Sequence, residues 1–247
     1  MARPLSVQLY SVREELAADR AGTLGRLAEM GYGAVEAYDV TDDPAGLGRI
    51  ADGLGLVVSG AHVGQVLGPE PGPVLDATAA LGCELAIVPA GFPHADFAAP
   101  DGLARVADRL NSLADRARRH GLRLGYHNHW WEVEPRLDGR HAIEALADLL
   151  DPAVFLEVDT YWAAVGGADV PALLGRLGSR VEALHLKDGP GTKEDPNVAV
   201  GGGTMPVPEV LAAAPDAWRV VEFDACAGDL LGELAASRRY VAALEAV

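Results

Sequence analysis

The chain has 247 residues, of which 49% are hydrophobic, and this length and composition suit one large core. Asp and Glu number 36 against 20 Lys and Arg, which gives a formal net charge of −16 at pH 7. That charge opposes a phosphate backbone and an anionic membrane surface, so we expect neither nucleic acid nor a membrane as a partner.

The two cysteines, Cys83 and Cys226, show neither a disulfide framework nor metal-ligand spacing. The first residues lack the apolar segment and cleavage site of a secretion signal, and no apolar run is long enough to cross a bilayer. These features predict a soluble, cytoplasmic protein.

Strand-like and helix-like segments alternate along the whole chain. In the first helix, Leu24, Leu27 and Ala28 recur at helical spacing and Gly31 follows as a stop signal. Strands are predicted over residues 5–10, 34–37, 56–61, 85–89, 122–127, 154–158, 181–186 and 219–223. Helices are predicted over residues 23–30, 44–54, 74–81, 101–120, 140–150, 170–177, 207–213 and 230–243.

Strands that are separated by helices pair in parallel through crossover connections. Eight such units predict an α/β fold that closes into a (β/α)8 barrel, a TIM barrel, in a single domain over residues 1–247.

Four possible metal ligands lie at or just beyond the ends of separate apolar strands: Glu132, Asp159, His185 and Glu222. Successive members are separated by about one strand-helix-strand unit, roughly 30 residues. Catalytic residues of (β/α)8 barrels lie at the carboxyl ends of the strands, so we expect these side chains to meet. Three carboxylates and one imidazole suit one divalent cation.

Each of these residues also has a simpler interpretation. Glu132 would serve as a solvated loop acid, Asp159 before Thr160 would cap a helix, and His185 would be a satisfied core histidine. Glu222 is harder to explain in this way, because a charge that closes a buried strand is costly unless it is paired or metal-bound. Their joint occurrence on successive units favours the metal site.

Two further features lie beside these residues. His127 and His129 are two apart and share one face if the strand continues, so they are candidates for substrate contact, for orienting Glu132 or for general-base catalysis. Glu157 precedes Asp159 by two and would share its face, either as a further ligand or as a buried charge paired with Lys187 or an arginine.

At this point the chain resembles the xylose isomerase-like TIM-barrel superfamily, often described as sugar phosphate isomerases/epimerases. The resemblance runs almost from end to end and rests on a combination of short motifs. They are residues 7–13 (VQLYSVR), 31–36 (GYGAVE), 126–132 (YHNHWWE), 158–162 (VDTYW), 185–188 (HLKD) and 221–222 (VE).

The resemblance implies that Glu132, Asp159, His185 and Glu222 bind one divalent cation, usually Mn, Mg, Co or Zn, and that Glu132 and Glu222 flank the reacting carbon. We therefore predict a metal-dependent sugar isomerase or epimerase that transfers a proton through an enediolate on a ketose or related polyol carbonyl. His127 and His129 are further catalytic candidates. A two-metal hydride shift is disfavoured, because the sequence offers no full second ligand set beyond Asp188 and Glu157.

A small-molecule sugar is the expected partner, and the sequence is compatible with assembly into a homo-oligomer. Lys187 would neutralise the carboxylates, hold an oxyanion or form a structural ion pair, and aromatic side chains offer flat apolar faces to sugar C–H groups. The predicted substrate contacts are Gln8, Tyr10, Glu36, His62, Trp130, Trp162 and Lys187. No basic residue adjoins the glycines at 201–203, so an unphosphorylated substrate is preferred.

Three other functions compete with this prediction. A metal-dependent lyase or hydrolase acting on oxidised sugars, cyclitols or glycosides, similar to inosose dehydratases or C-glycoside deglycosidases, would use the same enolisation chemistry. A DNA-repair endonuclease of the same superfamily would need a basic DNA-binding face, which the net charge of −16 opposes. A barrel used only for binding is disfavoured by the intact ligand set.

Overall fold

A computed structural model describes residues 3–245 and shows a closed barrel of eight parallel strands, which confirms the predicted TIM barrel. The strands, numbered β1 to β8 in chain order, are Ser6–Gln8, Ala34–Ala37, Val57–His62, Leu85–Val88, Arg123–His127, Phe155–Asp159, Val181–Leu186 and Trp218–Val221. Neighbours in the ring are neighbours in the chain, and β1 pairs with β8 to close the barrel through Ser6–Val220 and Val7–Val221.

Helices cover the outside of the barrel. Numbered α1 to α10, they are Arg13–Ala18, Arg20–Glu29, Pro44–Gly53, Pro71–Ala80, Pro100–Arg119, Ala142–Leu149, Thr160–Val165, Val170–Leu177, Val207–Ala213 and Leu230–Glu245. The sequence pattern missed α1 and α7. No helix within residues 3–245 combines the length and apolar character needed to cross a membrane.

The first strand is shorter than predicted. It ends at Gln8, and Leu9–Val12 turns into a 3-10 helix. The Gln8 side chain accepts a hydrogen bond from the backbone N–H of Tyr10 at 3.2 Å. This bond satisfies a free N–H group in the first turn of the 3-10 helix and so helps to end the strand.

Helix starts follow local side-chain chemistry. The carboxylates of Asp19, Asp43 and Asp169 each accept a hydrogen bond from the backbone N–H three residues further on, at the starts of α2, α3 and α8. Gly31 follows α2 with a φ of +91°, a conformation that glycine adopts without steric cost. These local signals explain why most helix positions are predictable.

Alternate residues of β6 point into the barrel and change from apolar to charged along the strand. Phe155 packs with Leu85 and Ile87, near the amino ends of β4 and β6. Glu157 and Asp159 continue the same face toward the carboxyl end, because side chains two apart on a strand share a face. The barrel therefore has an apolar floor beneath a polar upper interior.

Gly125 on β5 makes room for the ring of Phe155 in this floor. A Cβ atom at Gly125 would lie 2.3 Å from Cε2 of Phe155. We expect Gly125→Ala to lower the free energy of unfolding by about 1–3 kcal/mol, the usual range for overpacking, as measured by urea denaturation.

Gly175 in α8 is the matched control, because a Cβ atom there would meet nothing within 4 Å. Gly175→Ala should leave stability unchanged or raise it by about 0.5–1 kcal/mol, since alanine is the better helix residue. Equal losses in the two variants would contradict the packing explanation.

Candidate metal centre and active site

Four buried side chains meet at the carboxyl end of the barrel. His127 ends β5, Asp159 ends β6, His185 lies on β7 and Glu222 follows β8. One ligand atom from each of the four lies within 4.8 Å of the others. We call these four residues the upper cluster. It contains three of the four predicted ligands, while the place on the fifth strand is taken by His127.

Asp159 contributes one oxygen to a helix cap and leaves the other facing the upper cluster. Its Oδ1 accepts a hydrogen bond from the backbone N–H of Trp162 at 2.9 Å, at the start of α7. Its Oδ2 lies 3.8 Å from Nε2 of His127 and 2.9 Å from the ammonium group of Lys187. The capping interpretation of the sequence and the ligand interpretation are therefore compatible.

Lys187 brings a fully buried ammonium group to the edge of the upper cluster. Its Nζ lies 2.9 Å from Asp159 Oδ2, 2.8 Å from Glu222 Oε2 and 2.7 Å from Asp224 Oδ2. Burial opposes the charge, but the three carboxylates outweigh it and hold the pKa of Lys187 well above its usual range. The structure thus places Lys187 in an ion-pair network next to the candidate ligands.

A second polar layer lies one step deeper in the barrel. Its members are Gln8, Glu36, His62 and Glu157, all buried. Glu36 Oε1 accepts hydrogen bonds from Gln8 Nε2 at 2.7 Å and His185 Nε2 at 2.8 Å. Glu157 Oε2 lies 2.7 Å from His62 Nε2, while Glu157 Oε1 has no hydrogen-bond partner among the described residues.

The histidines of this region differ in their charge state. Burial, helped by the nearby His185, lowers the pKa of His127 to about 3, and burial lowers the pKa of His129 to about 2. Both are therefore neutral near pH 7. For His185, burial opposes the charge, but Glu157 and Glu222 raise its pKa well above the usual range.

The carboxylates of this region also differ in their charge state. Burial raises the pKa of Asp159 to about 6 although Lys187 opposes it, and burial with the charge of Glu157 raises the pKa of Glu36 to about 7. Burial would also raise the pKa of Glu222, yet Lys187 and His185 hold it well below its usual range. Glu222 is thus a carboxylate at neutral pH.

The structure does not bring Glu132 into the upper cluster. Its side chain is fully buried in the loop after β5, where Oε1 accepts a hydrogen bond from the Tyr126 hydroxyl at 2.6 Å and Oε2 accepts one from the His129 N–H at 2.8 Å. Burial raises its pKa to about 7. Both oxygens are engaged in holding the loop, so neither a ligand role nor a base role follows from this geometry.

We expect Glu132→Gln to leave Mn²⁺ affinity within about twofold of the wild type, because Glu132 bonds to Tyr126 and His129 and to no residue of the upper cluster. Stability should fall by about 1–3 kcal/mol, because one buried hydrogen bond is broken. Isothermal titration calorimetry and urea denaturation measure the two effects. A loss of affinity without a loss of stability would restore Glu132 to the ligand set.

A cavity of about 320 Å³ opens above the upper cluster. Its lining includes the predicted site residues Tyr10, His62, His127, His129, Lys187 and Glu222, together with Tyr38, Pro89 and Asp224. Gln8 and Glu36, predicted as substrate contacts, lie instead in the deeper layer. The remaining predicted contacts stay predictions.

The two tryptophans that were predicted to contact substrate, Trp130 and Trp162, are not among the lining residues but contact neighbours of the cavity. Trp162 donates its indole N–H to Asp224 Oδ2 at 3.1 Å. Trp130 packs edge-on against Trp131, and Nζ of Lys193 lies 3.2 Å from the centre of its ring. Trp131 stacks on His129 with ring centres 4.2 Å apart, which fixes one wall of the cavity.

Sequence reasoning missed three cavity residues, Asp224, Tyr38 and Pro89. Asp224 follows Glu222 by two residues, and Tyr38 follows Glu36 by two, so each continues the inward face of its strand beyond the strand end. Tyr38 packs edge-on against Tyr10, with ring centres 5.8 Å apart. The period of two was the signal that could have found Asp224 and Tyr38.

The upper cluster fits a divalent cation. Two imidazoles and two carboxylates form a mixed nitrogen and oxygen donor set, which suits ions such as Zn, Mn or Co. His127 is neutral, as a ligand must be, and Asp159 Oδ2 is a buried oxygen that lies between His127 Nε2 at 3.8 Å and the Lys187 ammonium at 2.9 Å.

Comparison with known proteins agrees with this architecture. The family model described as xylose isomerase-like TIM barrel matches residues 24–218. A sugar phosphate isomerase/epimerase from Parabacteroides distasonis has a TM-score of 0.79 at 21% identity, covering 98% of this chain and 94% of that one. An L-ribulose 3-epimerase has a TM-score of 0.71 at 19% identity, covering 100% and 95%. At these identities the likeness is one of fold.

Sequence similarity to curated proteins is local. An inosose dehydratase from Mesomycoplasma hyopneumoniae is 34% identical over 84 residues, which make up 34% of this chain. The match spans only 27% of that relative's length. It therefore relates one segment of the two proteins and leaves activity and substrate as matters for a proposal.

Proposed function

Because the chain belongs to the xylose isomerase-like TIM barrel family, we propose that it is a divalent-metal-dependent sugar isomerase or epimerase that moves a proton at the carbon next to a carbonyl. The observation that carries this proposal is the upper cluster, two imidazoles and two carboxylates buried at the base of a cavity at the carboxyl end of the barrel.

His127, Asp159, His185 and Glu222 would hold the ion in this proposal. When bound, a divalent ion supplies Lewis-acid polarisation of the carbonyl, which makes the neighbouring C–H group more acidic. The protein contributes four side chains that are all buried at the base of the cavity.

Glu222 and His129 are the groups that we assign to proton transfer. Both line the cavity, His129 just after β5 and Glu222 just after β8, and these strands are three apart in the ring, so the two side chains approach a bound sugar from different sides. Glu222 is ionised and His129 is neutral near pH 7, so each can accept a proton. Removal by one group and return by the other gives epimerisation, whereas return on the same face gives isomerisation.

The charge of the cavity favours a neutral sugar. Lys187 is the cationic side chain among the lining residues, and three carboxylates already surround it. A phosphate group would meet Glu222 and Asp224 without a free basic partner. We therefore assign the site to unphosphorylated ketoses or related polyols with a carbonyl group.

The experiment that tests the proposal incubates the Mn²⁺-loaded protein with a panel of unphosphorylated ketoses in deuterated water. Expected products are an epimer or aldose that carries solvent deuterium at the carbon next to the carbonyl, detected by NMR. The phosphorylated counterparts of the same sugars form the second arm and should react more slowly. Failure of every ketose to react or exchange would overturn the proposal.

A second candidate function is dehydration of a cyclitol ketone or an oxidised sugar, and the local identity to inosose dehydratases favours it. Proton removal next to the carbonyl is common to both reactions, but dehydration then expels a hydroxyl group. A product that is lighter by one water, formed from a cyclitol ketone and from no ketose, would select this function over the first.

A further inference from the structure

Three imidazole nitrogens converge on one carboxylate oxygen in the deeper layer. Glu157 Oε2 lies 2.7 Å from His62 Nε2, 3.1 Å from His127 Nδ1 and 3.2 Å from His185 Nε2. Glu157 is fully buried on β6, and its backbone is the register partner of His127 on β5. A carboxylate in this position does not contact the cavity.

Each histidine of the upper cluster faces carboxylates through both of its ring nitrogens. His127 directs Nδ1 to Glu157 and Nε2 toward Asp159, 3.8 Å from Oδ2. His185 directs Nε2 to Glu36 at 2.8 Å and Nδ1 to Glu222 at 2.6 Å. In both rings the deeper nitrogen meets a residue outside the upper cluster.

A neutral imidazole has one N–H group and one lone pair, and an ionised carboxylate can only accept. In the metal-bound state the lone pair of the nitrogen that faces the upper cluster goes to the ion, so the remaining N–H of each ring points down to Glu157 or Glu36. Metal binding requires that lone pair, and histidine ligands commonly donate their other N–H to a carboxylate.

We infer that Glu157 and Glu36 are positioning residues, which fix the tautomer and ring orientation of His127 and His185 so that His127 Nε2 and His185 Nδ1 face the ion. This inference rests on the metal centre of the proposed function and assigns residues that the ligand set does not include. Glu157 has the larger part, because it also holds His62, a lining residue of the cavity.

The same atoms offer another arrangement, in which His62, His127, Glu157 and His185 hold a second ion. The distance of 2.7 Å between His62 Nε2 and Glu157 Oε2 favours a hydrogen bond. A tetrahedral ion about 2.0 Å from each ligand would hold two ligand atoms roughly 3.3 Å apart. This set is nevertheless the fuller second site that sequence reasoning did not find, so the experiment must count ions.

The test compares Glu157→Leu with Glu157→Gln in the full chain. Leucine removes the acceptor, whereas glutamine keeps an acceptor oxygen and removes only the charge. We expect Glu157→Leu to weaken Mn²⁺ binding by about 10–100-fold in calorimetry, the usual cost of losing an outer-shell partner, and Glu157→Gln to recover most of that loss. The absorption spectrum of bound Co²⁺ should match that of the wild type in Glu157→Gln and differ from it in Glu157→Leu.

Glu144→Gln is the control for a buried carboxylate elsewhere. Glu144 is buried and accepts hydrogen bonds from Arg176 Nε at 2.6 Å and the His141 N–H at 3.0 Å, away from both layers. This variant should lose stability but keep Mn²⁺ affinity and the Co²⁺ spectrum. Unchanged Mn²⁺ affinity in folded Glu157→Leu would overturn the inference. Equal weakening of Mn²⁺ binding in Glu157→Gln and Glu157→Leu would also overturn it, because the charge of Glu157 and not its orientation of the histidines would then explain the effect.

Two ions per chain in the wild type, falling to one in Glu157→Leu, would also overturn the inference and make Glu157 a ligand. Because no substrate is added, the outcome does not depend on which sugar reacts. A wild type that bound no ion at all would instead remove the metal centre of the proposed function itself, which is a distinguishable result.

Discussion

Asp159→Asn should lower Mn²⁺ affinity by more than about 10²-fold, because loss of a ligand should exceed the cost of losing an outer-shell partner. Asparagine keeps the oxygen that caps α7 and replaces Oδ2, the oxygen that faces the upper cluster, with an amide nitrogen that cannot act as a ligand. Calorimetry measures the affinity directly. Thermal unfolding with and without Mn²⁺ provides a second readout, since an ion at 100 times its dissociation constant stabilises a protein by about 2.7 kcal/mol.

Asp169→Asn is the matched control. Asp169 caps α8 through the same contact, from its Oδ1 to the backbone N–H of Ala172 at 3.1 Å, and is exposed to solvent. It should change neither Mn²⁺ affinity nor the stabilisation by Mn²⁺. If the two variants bound Mn²⁺ equally well, Asp159 would be a helix cap only and the upper cluster would lose its oxygen ligand on β6.

The barrel itself follows from the sequence. Eight apolar strands alternate with helices whose starts carry capping aspartates, as at Asp19, Asp43 and Asp169, and this pattern admits few topologies other than a closed parallel barrel. The short helix α7 was not among the predicted helices, although the capping interpretation of Asp159 indicated its start, and the structure shows that the two oxygens of Asp159 serve different partners.

The position of Glu132 depended on the turn after β5, because the strand itself ends at residue 127 as predicted. The strand ends at His127, and the following turn sends Glu132 under the loop, where the Tyr126 hydroxyl is its partner. That contact spans only six residues, but it depends on a turn conformation that the pattern of apolar residues does not encode. His127 therefore takes the place that was predicted for Glu132.

The role of Glu157 could be predicted only in part. A period of two places it on the same face as Asp159, which sequence reasoning recognised, but the expected partner was Lys187 or an arginine. Its actual neighbours are His62 on β3 and His127 on β5. Contact between β3 and β6 exists only across the closed barrel, so curvature of the whole sheet decides this pairing.

Glu222→Gln should lower proton exchange between substrate and deuterated water by about 10²–10⁴-fold, the usual contribution of a general base. Glutamine retains the shape of the side chain but cannot accept the proton. It also removes a charge from the upper cluster, so Mn²⁺ affinity should fall, and exchange must be measured at saturating Mn²⁺. The readout is the rate at which solvent deuterium appears at the carbon next to the carbonyl.

Asp224→Asn separates proton transfer from the loss of a charge near Lys187. Both carboxylates contact Nζ of Lys187, at 2.8 Å for Glu222 and 2.7 Å for Asp224, and both line the cavity, but only Glu222 belongs to the upper cluster. Asp224→Asn should therefore reduce exchange much less than Glu222→Gln. Equal reductions of exchange in the two variants would indicate that both carboxylates act through Lys187. Transfer of substrate hydrogen to the product without any solvent label, even over long incubation, would refute proton transfer by Glu222.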